Sequence, residues 1–144
     1  MIRRLLLALV AFTAVGLVPE LVLLKHYESV WQVVPLVLLV LTLVATAVVW
    51  RRPAARNLQF FRGMMVLCLL AGAAGIFLHG KGNLEWALER DDTIQGWPLI
   101  WKILRGATPL LAPGAMAQLG LLGLVFAYRH PAVAAPTHTD QEIS

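Results

Sequence analysis

Serine and cysteine are almost missing from this sequence. Ser29 and Ser144 are its two serines, and Cys68 is its one cysteine. A serine-nucleophile triad has almost nowhere to sit, and no disulfide can close within the chain. There is no Cys-x-x-Cys pair, no His-Glu-x-x-His and no glycine-rich phosphate loop, which removes the common redox, zinc-hydrolase and nucleotide-binding signatures. Charge is scarce too. Asp, Glu, Lys and Arg make up 14% of 144 residues, against 59% hydrophobic. Soluble domains carry about 25% charged residues, and a chain this apolar would expose large greasy patches in water. A soluble enzyme, a disordered linker and a nucleic-acid module are therefore excluded as leading readings. The net charge of +4 does not restore a nucleic-acid partner, because the basic residues do not gather on one soluble face. No internal repeat is evident.

What the chain has in abundance is long apolar runs. Residues 5–24, 33–50, 60–79 and 109–128 each approach the roughly 20 residues that cross a bilayer. Trp31 and Trp50 bracket the second run, and aromatic residues favour the membrane interfaces. The expectation is an all-α integral membrane protein, with four transmembrane helices bundled in residues 1–129. Ala14-Val15-Gly16 has the small residues of a signal cleavage site. The apolar run continues past it to Leu24, so the segment reads as a retained span. Residues 130–144, with two prolines and two histidines, read as a disordered tail.

Arginine sets the orientation. Arg3 and Arg4 precede the first run, Arg51, Arg52, Arg56 and Arg62 separate the second from the third, and Arg129 follows the fourth. The opposite side mixes Lys25, Lys81, Arg90, Lys102 and Arg105 with Glu20, Glu28, Glu85, Glu89, Asp91 and Asp92. The arginine-rich side is expected to be cytoplasmic. The protein is then a multi-pass protein of the plasma (inner) membrane with both termini in the cytoplasm. The basic loop after Trp50 also has the charge to attract anionic lipid.

Residues 80–108 form the largest expected outer loop. Asn83 is placed to cap a short helix running from Leu84 to about Arg90. Glu85, Glu89 and Asp92 would make an acidic stripe along it. Farther on, Trp97, Ile100, Trp101 and Leu104 share one helical face, with Lys102 and Arg105 on another. That pattern predicts a short amphipathic helix in the outer interface, starting near Pro98. Thr108-Pro109 is expected to cap the fourth span, and Pro113-Gly114 to kink it.

Small residues indicate where helices meet, since close backbone approach drives association in lipid. Cys68, Gly72, Gly75 and His79 follow steps of 4, 3 and 4, and so do Met116, Gly120, Gly123 and Ala127. These two faces are expected to pack together. Thr42 and Thr46 give the second span a polar stripe for hydrogen bonds between helices. Gln118 lies near mid-span, on the side of its helix away from Gly120, so the fourth helix is expected to meet protein on both sides.

Three functional readings follow. The leading one is an accessory or scaffold subunit of a larger inner-membrane complex, docked through the fourth helix and the outer loop. Trp86, Trp97 and Trp101, beside Glu85, Glu89 and Asp92, are its expected docking residues. Its partners are membrane lipid and other membrane subunits, or further copies of itself. The second reading is a homo-oligomeric transporter or channel with Glu20 and Gln118 as an intramembrane polar or ion site. The third is a metal- or haem-binding protein. His26 and His79 fall at one membrane level near Glu28 and Glu85, where two imidazoles and carboxylates can hold a divalent metal. Two imidazoles can equally face each other across a haem iron. That reading requires the histidines to point inward, and spacing alone does not decide it. No catalytic residue and no resident cofactor is called for by the leading reading.

Overall fold

The computed structural model describes residues 1–108 and 110–133. Five α-helices appear in order: α1 (Ile2–Leu23), α2 (Val30–Arg51), α3 (Ala55–Arg90), α4 (Gly96–Leu104) and α5 (Leu111–Ala127). A 3-10 turn, Pro131–Val133, follows, and there is no strand among the described residues. Three helices, α1, α2 and α3, are long and apolar enough to cross a membrane. The 17-residue α5 is a shorter apolar helix, about 26 Å at 1.5 Å per residue.

The long helices close into a ring. Helix α1 packs on α2, α2 on α3, α3 on α5, and α5 back on α1. The α3–α5 contact is the most extensive, and α4 rests on α3. Core residues recur at heptad-like steps of three and four: Leu7, Val10, Ala14, Leu17 and Leu21 on α1, and Leu58, Phe61, Met65, Cys68 and Gly72 on α3. Such spacing keeps one seam of each helix facing its neighbours. The outward faces are apolar as well. Phe12, Val15, Leu70, Phe77 and Val125 are all exposed, the arrangement expected of helices solvated by lipid rather than water.

Glycine sets the α3–α5 separation. A Cβ on Gly72 would meet the backbone nitrogen of Ala117 and stand 2.7 Å from the Pro113 carbonyl oxygen. A Cβ on Gly120 would stand 2.6 Å from the Met65 carbonyl oxygen. Gly123 lies against the Met65 sulfur, and Gly75 against the Pro113 ring. Between α2 and α3, the buried Thr42 hydroxyl and Cys68 Sγ share a hydrogen bond of 3.3 Å. The Thr46 hydroxyl, also buried, has no partner among the described residues.

Helix ends are set by local chemistry. Ser29 and Gln32 form a capping box at the start of α2: Gln32 N–H donates to Ser29 Oγ, and Ser29 N–H donates to Gln32 Oε1 at 3.1 Å. At the end of α1, Lys25 takes a left-handed φ of 52°. His26 N–H then donates to the Leu21 carbonyl at 2.8 Å and Lys25 N–H to the Val22 carbonyl at 3.0 Å. This is a Schellman closure with lysine where glycine is usual. Arg3 binds the other end of the ring. Its guanidinium donates to the carbonyls of Phe126 (2.6 Å), Tyr128 (3.1 Å) and Arg129 (3.1 Å), satisfying acceptors at the end of α5.

Two expectations are corrected, the helix caps at Asn83 and Thr108. Asn83 caps no helix: α3 runs unbroken for 36 residues to Arg90, about 54 Å, so residues 80–90 are helix rather than loop. Its carboxamide is used sideways, for bonds to the α4–α5 link. Thr108 caps no helix either. The N-cap of α5 is Leu110, without a side-chain bond, and the Thr108 hydroxyl turns to α3. Pro113 falls in the first turn of α5, where a missing N–H costs no intrahelical bond. After α5, His130 lies beside the Phe126 ring, with centroids 5.3 Å apart, and Val133 packs on the core. The rest of the expected disordered tail, 134–144, lies outside the described residues.

Candidate functional site

At the acidic end of the ring, residues of α1, α2, α3 and α5 line a cavity of about 350 Å³. Leu17 and Leu21 of α1, Leu39 of α2 and Met116 of α5 form its apolar wall. His26, Gln32, His79 and Thr108 supply the polar groups. A mostly apolar hollow with a few converging polar groups is the usual form of a small-molecule site.

Each polar group is positioned by a feature of the fold. The Schellman closure turns the chain at Lys25 and fixes the backbone of His26 against α1. The capping box holds Gln32, whose Oε1 accepts from Glu28 N–H (2.9 Å) and Ser29 N–H (3.1 Å). That use of the oxygen leaves the amide NH₂ to donate. His79 lies on α3 one turn beyond Gly75. Thr108 is held by Asn83: Thr108 N–H and Oγ1 donate to Asn83 Oδ1 at 3.0 and 2.8 Å, and Asn83 Nδ2 donates to the Thr108 and Ile103 carbonyls at 2.9 Å. The Thr108 hydroxyl also reaches the His79 carbonyl oxygen at 3.3 Å.

The two imidazoles face each other. Their ring centroids are 6.2 Å apart with planes inclined by 52°. Burial, and then the neighbouring His79, hold the His26 imidazole below its usual range. His26 is therefore neutral near pH 7, with one ring nitrogen donating and the other accepting. Glu28 and Glu85 do not join the pair: both are exposed, and Glu85 is 3.6 Å from Lys81. Among the described residues no group of three or more His, Cys, Asp or Glu side chains gathers where it could hold a metal.

Glu20 and Gln118 lie outside the cavity, each exposed on the outer surface of the ring. The acidic stripe is shorter than expected. Glu85 and Glu89 sit exposed on α3, while Asp92 lies beyond the end of that helix. Trp86 is half-buried beneath the Arg90 guanidinium, 4.3 Å from its ring centroid. On α4, Trp97, Ile100, Trp101 and Leu104 are all exposed, and the two indoles stack with centroids 6.5 Å apart. The apolar face of α4 thus points away from the ring.

Asn83 and Thr108 are residues that sequence reasoning misassigned. Their signal was available in Asn83, Gly106 and Thr108 together: a Cβ on Gly106 would collide with the Asn83 carboxamide. Separation in sequence concealed it. No family model matches this chain. Neither a curated protein nor a solved structure resembles it closely enough to lend it a function.

Proposed function

We propose that this chain is a four-span protein of the plasma (inner) membrane that binds a small amphiphile in its outward-facing cavity. In this reading α5 is the fourth span, both ends lie on the arginine-rich cytoplasmic side, and α4 lies in the outer interface on its apolar face. The observation that carries the reading is the approach of His26 and His79 to 6.2 Å at a cavity whose other lining residues, apart from Gln32 and Thr108, are apolar or glycine. A head group with oxygen acceptors would take hydrogen bonds from the His26 imidazole and the Gln32 amide. Its apolar part would lie along Leu17, Leu21, Leu39 and Met116. The one hydroxyl lining the cavity, on Thr108, is engaged with Asn83 and the His79 carbonyl.

Native mass spectrometry of protein extracted from its own membranes with polymer or mild detergent tests this. A bound amphiphile that is lost in His26→Gln and His79→Gln is expected. Stoichiometric zinc or copper in place of any amphiphile would overturn the reading in favour of a metal centre on the same pair.

A second reading, a subunit of a larger membrane assembly, is favoured by Gln118. It sits mid-way along α5, exposed among apolar neighbours, and a carboxamide facing lipid is costly. A photo-crosslinking amino acid at position 118 should yield one discrete heterologous adduct in native membranes. Lipid adducts alone would count against it.

A further inference from the structure

The basic end of the ring holds a second cavity, of about 440 Å³. Arg3, Arg4 and His130 line it, over a floor of Leu7, Val49 and Phe126. No carboxylate lines it, and the acidic residues among those described are Glu20, Glu28, Glu85, Glu89, Asp91 and Asp92, on segments at the opposite end. Arg3 is fixed by its three carbonyl partners on the end of α5. Arg4 is exposed and makes no such bond. One fixed and one unengaged guanidinium thus line a single hollow without a counter-charge among the described residues. Burial, and then the charge of Arg3, keep the His130 imidazole below its usual range.

We infer that this cavity is a site for the phosphate head group of an anionic phospholipid. Arg4 would clamp the phosphate oxygens, since guanidinium matches them with paired donors. The N–H groups that Arg3 does not spend on carbonyls would complete the clamp. Trp50 lines the same hollow, and tryptophan settles at head-group depth. The apolar floor favours a lipid over free phosphate: Leu7, Val49 and Phe126 offer nothing to a hydrated ion but can take glycerol and the first carbons of an acyl chain. Outside the hollow, the exposed faces of α1 and α2 continue the apolar surface along which the chains would lie. Basic pockets between helices on the cytoplasmic side are a recurrent form of such sites.

The full-length protein in detergent should be offered phosphatidylglycerol and phosphatidylcholine of identical acyl chains in equal amounts, and its adducts read by native mass spectrometry. Preferential retention of phosphatidylglycerol is expected. Arg4→Gln should reduce that preference about fivefold. Arg56→Gln, equally basic but outside the cavity, should leave it unchanged. Arg3 is not the residue to vary, because its loss also frees the end of α5. Equal retention of the two lipids, or equal loss in both variants, overturns the proposal. Competition by millimolar inorganic phosphate without any lipid preference would replace the lipid with a free anion and overturn it too.

Discussion

Asn83 on α3 and Thr108 in the α4–α5 link are joined by three hydrogen bonds, two accepted by Asn83 Oδ1 and one donated by its Nδ2. With the bond to the Ile103 carbonyl at 2.9 Å, one buried carboxamide fastens the link to α3. That link carries Thr108 into the wall of the acidic-end cavity.

Replacing Asn83 by Ala should therefore strip the Thr108 N–H and two carbonyls of their partners. The expected cost is about 2 kcal/mol, with faster amide exchange in residues 103–108. Thermal unfolding in detergent and hydrogen exchange check this. Unchanged protection of the link would show that Asn83 does not hold it.

The α3–α5 contact makes a sharper contrast. Gly120→Leu drives a side chain into the Met65 and Leu69 backbone and should cost roughly 3 kcal/mol or more. Gly114 on the same helix has open space at its Cβ position. Gly114→Ala should be neutral or stabilising by up to about 1 kcal/mol. The melting temperature should fall in Gly120→Leu and hold or rise in Gly114→Ala.

Lys25 holds a left-handed conformation that costs a side-chain residue about 1 kcal/mol. Lys25→Gly should recover that amount while leaving the α1–α2 turn, and the His26–His79 approach, intact. A destabilised variant would mean that the lysine side chain is needed there.

Acidification should weaken the fold. The His26 imidazole lies below its ordinary value of 6.5 in the folded chain, so the unfolded chain takes up its proton first. Stability is complete above about pH 6.5 and falls as the pH drops below it. His130 contributes in the same direction. His26→Gln should remove part of the loss between pH 7 and 5.5, and His26→Gln with His130→Gln more of it. A melting temperature that rises on acidification would contradict this.

Much of this architecture is written in local patterns. Apolar runs with few charges mark the long helices, because a bilayer-crossing helix leaves little freedom of composition. The steps of Gly72 and Gly75 on α3, and of Gly120 and Gly123 on α5, mark faces that meet in the structure. The shared level of His26 and His79 follows from helix lengths. Their inward approach does not, because it depends on how each helix is rotated. Asn83 shows the other limit. As a sequence signal it is a helix cap, and only the fold brings Thr108, 25 residues away, within reach to claim its carboxamide. Glu20 stands out as an ionisable residue in an apolar run, yet the rotation of α1 leaves it on the outside of the ring.

The central claim is that the hollow beside His26 and His79 is a binding site. Ala71 lines that hollow and is only partly buried, so Ala71→Leu should fill it without disturbing the α3–α5 seam. Native mass spectra of the parent and of Ala71→Leu, both extracted from native membranes, test the claim most directly. The account predicts a discrete amphiphile adduct on the parent that is absent from the variant, with helical content and elution volume unchanged. An adduct that survives in the filled variant, or a parent that carries none when amphiphiles of the outer leaflet are supplied in excess, would contradict it.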